Sequence, residues 1–232
     1  MNASVNSRQL TNLTVVTKLS LKDVLGKIQE ELRKREIVHE EVQRNMRRAT
    51  RLSKQAILFT HQERFIDARK LLTEAEELFS KLRKVSRNYP DMFYSGMVDA
   101  AFQEYAEAHT LLCLIKEDEF VDPEELKIPS ISYVLGLADV IGELRRRALD
   151  SLRKGDVKTA EKCLQTMEQI YVELMAMDEA YMLVPGLRRK SDVARHVIES
   201  SRGDITIEAR RSTLEDCMKN LEKIVKLQKK KR

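Results

Sequence analysis

Residues 21–60, LKDVLGKIQEELRKREIVHEEVQRNMRRATRLSKQAILFT, set apolar side chains at helical spacing among many charged ones and hold one glycine and no proline. This stretch decides the fold class. Glu, Lys, Arg, Leu and Ala are good helix formers, whereas Gly costs about 1 kcal/mol and Pro about 3 kcal/mol inside a helix. Neither breaker occurs from Lys27 to Tyr89. The spacing therefore predicts one very long helix over about 21–60, a polar break near His61-Gln62-Glu63, and a second helix over about 63–87. At 1.5 Å per residue the first helix would run roughly 60 Å, which suits an elongated bundle or a helical partner.

Working outward, residues 1–20 are rich in Asn, Ser and Thr without periodicity and read as a flexible tail. A third helix is expected from Asp91, as N-cap, to about Lys116. Residues 117–129, acidic and carrying Pro123 and Pro129, read as a connection with at most one helical turn. A fourth helix runs from Ser130 or Ser132 to Lys154-Gly155, where Gly155 suits the C′ position and Asp156 the next N-cap. Further helices are expected over about 157–180, 186–201 and 205–229, with Arg202-Gly203-Asp204 separating the last two. Residues 230–232 form a short basic tail. No strand-like alternation competes. The expected fold is all-α: one seven-helix domain over 21–229.

Composition bounds the class further. The chain has 232 residues, 42% hydrophobic and 34% charged, with no Trp. That is too apolar for disorder and too charged for a membrane protein. No stretch reaches the ~18 apolar residues that span a bilayer. The N-terminus carries no basic-then-apolar leader pattern, and Cys113, Cys163 and Cys217 form neither CxxC nor zinc spacing. A cytoplasmic protein with reduced cysteines is expected. A net charge of +5 and a pI near 9.0 mildly favour a polyanionic partner.

No GxSxG, P-loop or GxGxxG occurs, and His39, His61, His109 and His196 are scattered. Carboxylates remain. In FQEYAEA (102–108), Glu104 and Glu107 stand at i, i+3, on one side of a helix. The expected core stripe is Tyr94, Val98, Ala101, Tyr105, Ala108, Leu112 and Ile115. It leaves Glu104 at its edge and Glu107 about 60° further round. In YVLGLADVIGELRRR (133–147), Asp139 and Glu143 stand at i, i+4, nearly opposite the stripe Val134, Ala138, Ile141, Ala148 and Leu152. Two readings compete: solvated polar faces, or two pairs sharing a divalent ion. Gly136 and Gly142 flank Asp139 at a helix-weakening cost, which implies that something approaches that face closely. A hard, all-oxygen donor set suits Mg²⁺ or Mn²⁺ better than zinc. Phosphodiester hydrolysis is the natural reaction for such an ion.

The segments FQEYAEA and YVLGLADVIGELRR, the SLRKGD turn at 151–156, and Arg47-x-x-Thr50-x-x-Ser53-Lys54 resemble the translin/TRAX family over about residues 25–205. The resemblance is nearest to the TRAX-type branch, although the 117–130 connection is shorter than in TRAX. It implies a barrel-like oligomer, commonly an octamer, that encloses RNA, and a Mg²⁺-dependent endoribonuclease site facing the interior. It assigns Glu104, Glu107, Asp139 and Glu143 as metal ligands or water activators, and Lys54 with Arg47 as phosphate contacts. Arg145, Arg146 and Arg147 either hold backbone phosphates or complement a helix end. The expected partners are single-stranded RNA or DNA and further copies of the chain. The alternatives are a non-catalytic nucleic-acid-binding oligomer, as in translin-type subunits, and a structural helical scaffold.

Overall fold

A computed structural model describes residues 20–177 and 180–230. The tails expected at 1–20 and 230–232 thus fall almost wholly outside the described residues. Among these residues there are eight α-helices, one 3-10 turn and no strand. The helices are α1 (Leu21–His61), α2 (Phe65–Val85), α3 (Gly96–Glu117), α4 (Pro123–Leu126), α5 (Ser130–Arg153), α6 (Val157–Met175), α7 (Ala180–Leu183) and α8 (Leu187–Lys230). α4 and α7 are single turns. None of the helices is long and apolar enough to cross a membrane.

The chain divides into two units, residues 1–40 and 41–232. The first contributes the opening half of α1. There Ser20 Oγ accepts from the Asp23 amide, and Asp23 Oδ2 accepts from the Ser20 amide, both at 3.2 Å. This reciprocal cap satisfies donors that the helix leaves unpaired. Leu21, Leu25, Ile28 and Leu32 are exposed.

The second unit is the bundle. The rest of α1 buries Val42, Met46, Ala49, Leu52 and Ala56, one face of a 3.6-residue period. α2 buries Ala68, Leu72, Ala75, Phe79 and Leu82, and Phe79 stacks on Phe102 of α3 at 4.5 Å. α5 is the central element, packed against α3, α6 and α8. That placement decides how its acidic face is used.

The expected start of α3 at Asp91 is corrected. Pro90–Tyr94 form a 3-10 turn, the chain extends at Ser95, and Ser95 Oγ caps Val98 at 3.4 Å. α6 closes at Met175, short of the expected 180. The turn at Gly155 (φ +78°) and Asp156 stands as expected, with Asp156 Oδ1 accepting from the Thr159 amide at 3.0 Å. A positive φ costs glycine little.

The expected break at Arg202-Gly203-Asp204 does not occur, so α8 is one helix of 44 residues and the seven-helix division fails there. Ala194, Ile198, Ser201 and Ile205 are all buried at helical spacing, so the core stripe runs straight through the glycine. Arg202 meets Glu168 of α6 at 2.7 Å, and Asp204 meets Arg145 of α5 at 3.3 Å. These contacts, with the buried stripe, offset a glycine cost of about 1 kcal/mol.

Candidate acidic site

The four sequence-predicted carboxylates come from two helices whose backbones nearly touch. At Gly136 of α5, an added Cβ would lie 2.6 Å from the Gln103 carbonyl oxygen and 2.8 Å from Ala106 Cβ, both on α3. Only glycine permits that approach. The close approach inferred from the glycines is therefore α3 itself. Gly142 differs: a Cβ there would meet nothing within 4 Å.

Because α3 is covered by α2 on one side and α5 on another, its burial exceeds one stripe. Ala106, Glu107, Thr110 and Leu114 are buried together with the expected Val98, Ala101, Tyr105, Ala108 and Leu112. The order expected for the glutamates is thus reversed. Glu107, placed furthest from the core, is 9% exposed, whereas the Glu104 side chain is 24% exposed.

Burial, then the charges of Asp139, Glu104 and Glu143, push the Glu107 carboxyl up to about 8, with Lys190 opposing. A carboxyl that feels three others sits in a convergent cluster, and shifts of this kind concentrate at functional sites. The other three acids are held by basic or amide side chains. Lys54 Nζ lies 3.2 Å from Glu104 Oε1. Lys190 of α8 pairs with Asp139 Oδ1, and Gln103 Nε2 donates to Asp139 Oδ2 at 2.5 Å. His61, at the end of α1, shares a 2.6 Å hydrogen bond with Glu143 Oε2. That bond holds the Glu143 carboxyl below its ordinary range despite partial burial.

Three of these partners escaped the sequence reading. His61 stood out only as part of a polar break, and Gln103 only as a letter in FQEYAEA. Lys190 lies 51 residues from Asp139, a pairing that no helical period signals. Lys54, expected as a phosphate contact, pairs with Glu104 in the free chain. Arg47, two turns earlier on α1, is exposed and donates to Gln43 at 3.2 Å.

The arginine run divides. Arg146 lies 3.7 Å from Glu143. Arg145 donates to Ser201 Oγ at 2.8 Å and clips α5 to α8, while Arg147 reaches Glu63 at 3.5 Å. Only Arg146 shares the acidic face.

Four carboxyl groups gathered around Glu107 fit a hard divalent cation in charge and donor type. With three of them turned to protein partners, no group of three His, Cys, Asp or Glu side chains among the described residues stands close enough to hold an ion. For these four side chains to hold an ion together, the carboxylates would have to leave Lys54, Lys190 or His61.

The Translin family profile matches residues 37–201. An uncharacterized protein of Methanocaldococcus jannaschii is 36% identical over 58% of this chain and 59% of its own length. The translin-associated protein X of Mus musculus is 26% identical over 62% of this chain and 63% of its own. The matches thus span less than two thirds of either relative. Among solved structures, AfC3PO in complex with duplex RNA superposes with a TM-score of 0.72 at 34% identity, covering 81% of this chain and 97% of that one. With the profile spanning more than half of its length, this chain belongs to the Translin family.

Proposed function

We propose that this chain is an RNA-binding, Mg²⁺- or Mn²⁺-dependent endoribonuclease whose acidic cluster on α3 and α5 hydrolyses phosphodiester bonds inside a self-assembled, octamer-like shell. The observation that carries the reading is Glu107, a buried carboxyl facing three further carboxylates on two closely packed helices. Family membership supports a nucleic acid as the substrate class, and the AfC3PO neighbour solved with duplex RNA adds to that support. Single-stranded RNA remains the expected substrate, with DNA as a further binding partner.

Glu104, Glu107, Asp139 and Glu143 would hold the ion. Bound there, it would supply a lowered pKa for attacking water and neutralisation of charge on the phosphate oxygens. The protein's own groups do the rest. Glu107 holds a proton near neutral pH in the metal-free site. Lys54 and Arg146, freed from Glu104 and Glu143, turn to the phosphate. Partial burial of the cluster strengthens each of these interactions.

A second reading, an oligomer that binds nucleic acid without cleaving it, is favoured by the basic partners that already engage three of the acids. One assay separates the two. Labelled single-stranded and duplex RNA are incubated with the purified protein in Mg²⁺, Mn²⁺ or EDTA. Metal-dependent cleavage is expected, falling by at least about a hundredfold in Glu107→Ala and Asp139→Ala. Unchanged cleavage in both variants overturns the site assignment. Binding without cleavage in the wild type selects the second reading.

A further inference from the structure

Beside the acidic cluster, and sharing Asp139 with it, a cleft of about 220 Å³ opens between α5 and α8. Asp139 and Gly142 line it from α5, and Arg189, Lys190, Val193 and Val197 from α8. Gly142 borders open space, since a Cβ there would meet nothing within 4 Å. The two cations in it are not equivalent. Lys190 is committed to Asp139. Arg189 is exposed and makes no ion pair or hydrogen bond with any described residue.

Helix stability does not account for these cations. Arg188, Arg189 and Lys190 occupy the first turn of α8, which contains no acidic residue. The first turn carries the positive end of the helix dipole, where basic side chains are unfavourable by a few tenths of a kcal/mol or more. At Arg189 that cost is offset by no ion pair or hydrogen bond with any described residue, which fits a functional position. An anion seated in the cleft would meet the Arg189 guanidinium and the Lys190 ammonium together. Planar guanidinium matches phosphate oxygens in a two-pronged geometry.

We propose that the α5–α8 cleft is a phosphate-binding subsite that seats an RNA backbone phosphate next to the one at the acidic cluster, with Arg189 as its principal contact and Lys190 as its second. The inference rests on the RNA reading above and adds two residues that the sequence motifs do not carry. Lys190 thereby joins the two sites: it neutralises Asp139 in the free protein and faces the phosphate when RNA is bound.

The test is equilibrium binding of a short, labelled single-stranded oligoribonucleotide in EDTA, titrated over salt concentration, with the intact assembly. Arg189→Glu is expected to weaken binding about tenfold and to lower the slope of log affinity against log salt by about one. Lys158→Glu makes the same charge change on the exposed start of α6 and is expected to leave affinity within about twofold. Assembly mass by light scattering is expected to be unchanged in both. If the wild type binds and Arg189→Glu matches it in affinity and slope, the subsite is wrong while the RNA reading stands. If the wild type binds no RNA, both fall. If Arg189→Glu changes the assembly mass, Arg189 is an interface residue and the subsite is overturned.

Discussion

Glu107 has a stability consequence that can be measured without substrate. Its carboxyl ionises near 4.5 in an unfolded chain and near 8 in the folded one. Between those values folding takes up a proton, so this group's contribution is fullest below about 4.5 and is lost as pH rises through 8. Glu107→Gln removes the dependence. In urea titrations without divalent ions, the variant should gain stability relative to the wild type from pH 5 to pH 9, by on the order of a few kcal/mol. A difference that stays flat with pH would contradict the burial and crowding described for this carboxyl. His109 has the opposite dependence: burial, then the Arg69 charge, push its imidazole down to about 4, so its contribution is lost as pH falls below about 6.5. In a wild type lacking divalent ions, the two together predict stability declining towards both pH extremes. At this scale the sequence was half legible. The identity and spacing of the acids were readable because a helix period is local. Their partners Lys190 and His61 were not, because tertiary packing brings them in from α8 and from the end of α1.

The elements make two further predictions through their glycines. Gly136 lets α3 and α5 approach until backbone meets backbone. Gly136→Ala should destabilise by about 1–3 kcal/mol and, by spreading the helices, weaken Mn²⁺ binding. Stability equal to wild type in chemical denaturation would contradict the close approach. Gly203 is the counterpart. It sits mid-helix in α8 with nothing within 4 Å of an added Cβ, so Gly203→Ala should stabilise by about 1 kcal/mol. A loss of stability would mean that the helix bends or breaks there. Two glycine-containing stretches show where helix boundaries were legible. Gly155 and Asp156 mark a true turn because local chemistry decides it, with a positive φ and a side-chain cap. Arg202-Gly203-Asp204 misled because Ser201 and Ile205 are buried against the bundle and its flanking charges find partners on α5 and α6. The reading of α3 failed for a related reason: one apolar stripe describes a helix covered from one side, and α3 is covered from more than one.

At the scale of the whole molecule, α8 leaves Leu214, Met218 and Leu221 exposed at spacings of four and three. That is the pattern of a helix seam awaiting a partner. If copies of the chain assemble through it, light scattering should give a multiple of the 26.9 kDa subunit. The pair Leu214→Glu with Leu221→Glu should then lower the assembly mass while circular dichroism stays helical. An unchanged mass would place the interface elsewhere. The all-α class and the long first helix were plain from residues 21–60, whereas the union of the last two helices needed the packed bundle. The proposed function rests on the acidic cluster, and direct ion binding tests it most simply. Isothermal titration of Mn²⁺ into the wild type, Glu107→Gln and Asp139→Asn should show saturable binding in the first, weakened by at least about tenfold in each variant. Equal affinity in all three, or no saturable binding in the wild type, would contradict a metal-dependent site built on α3 and α5.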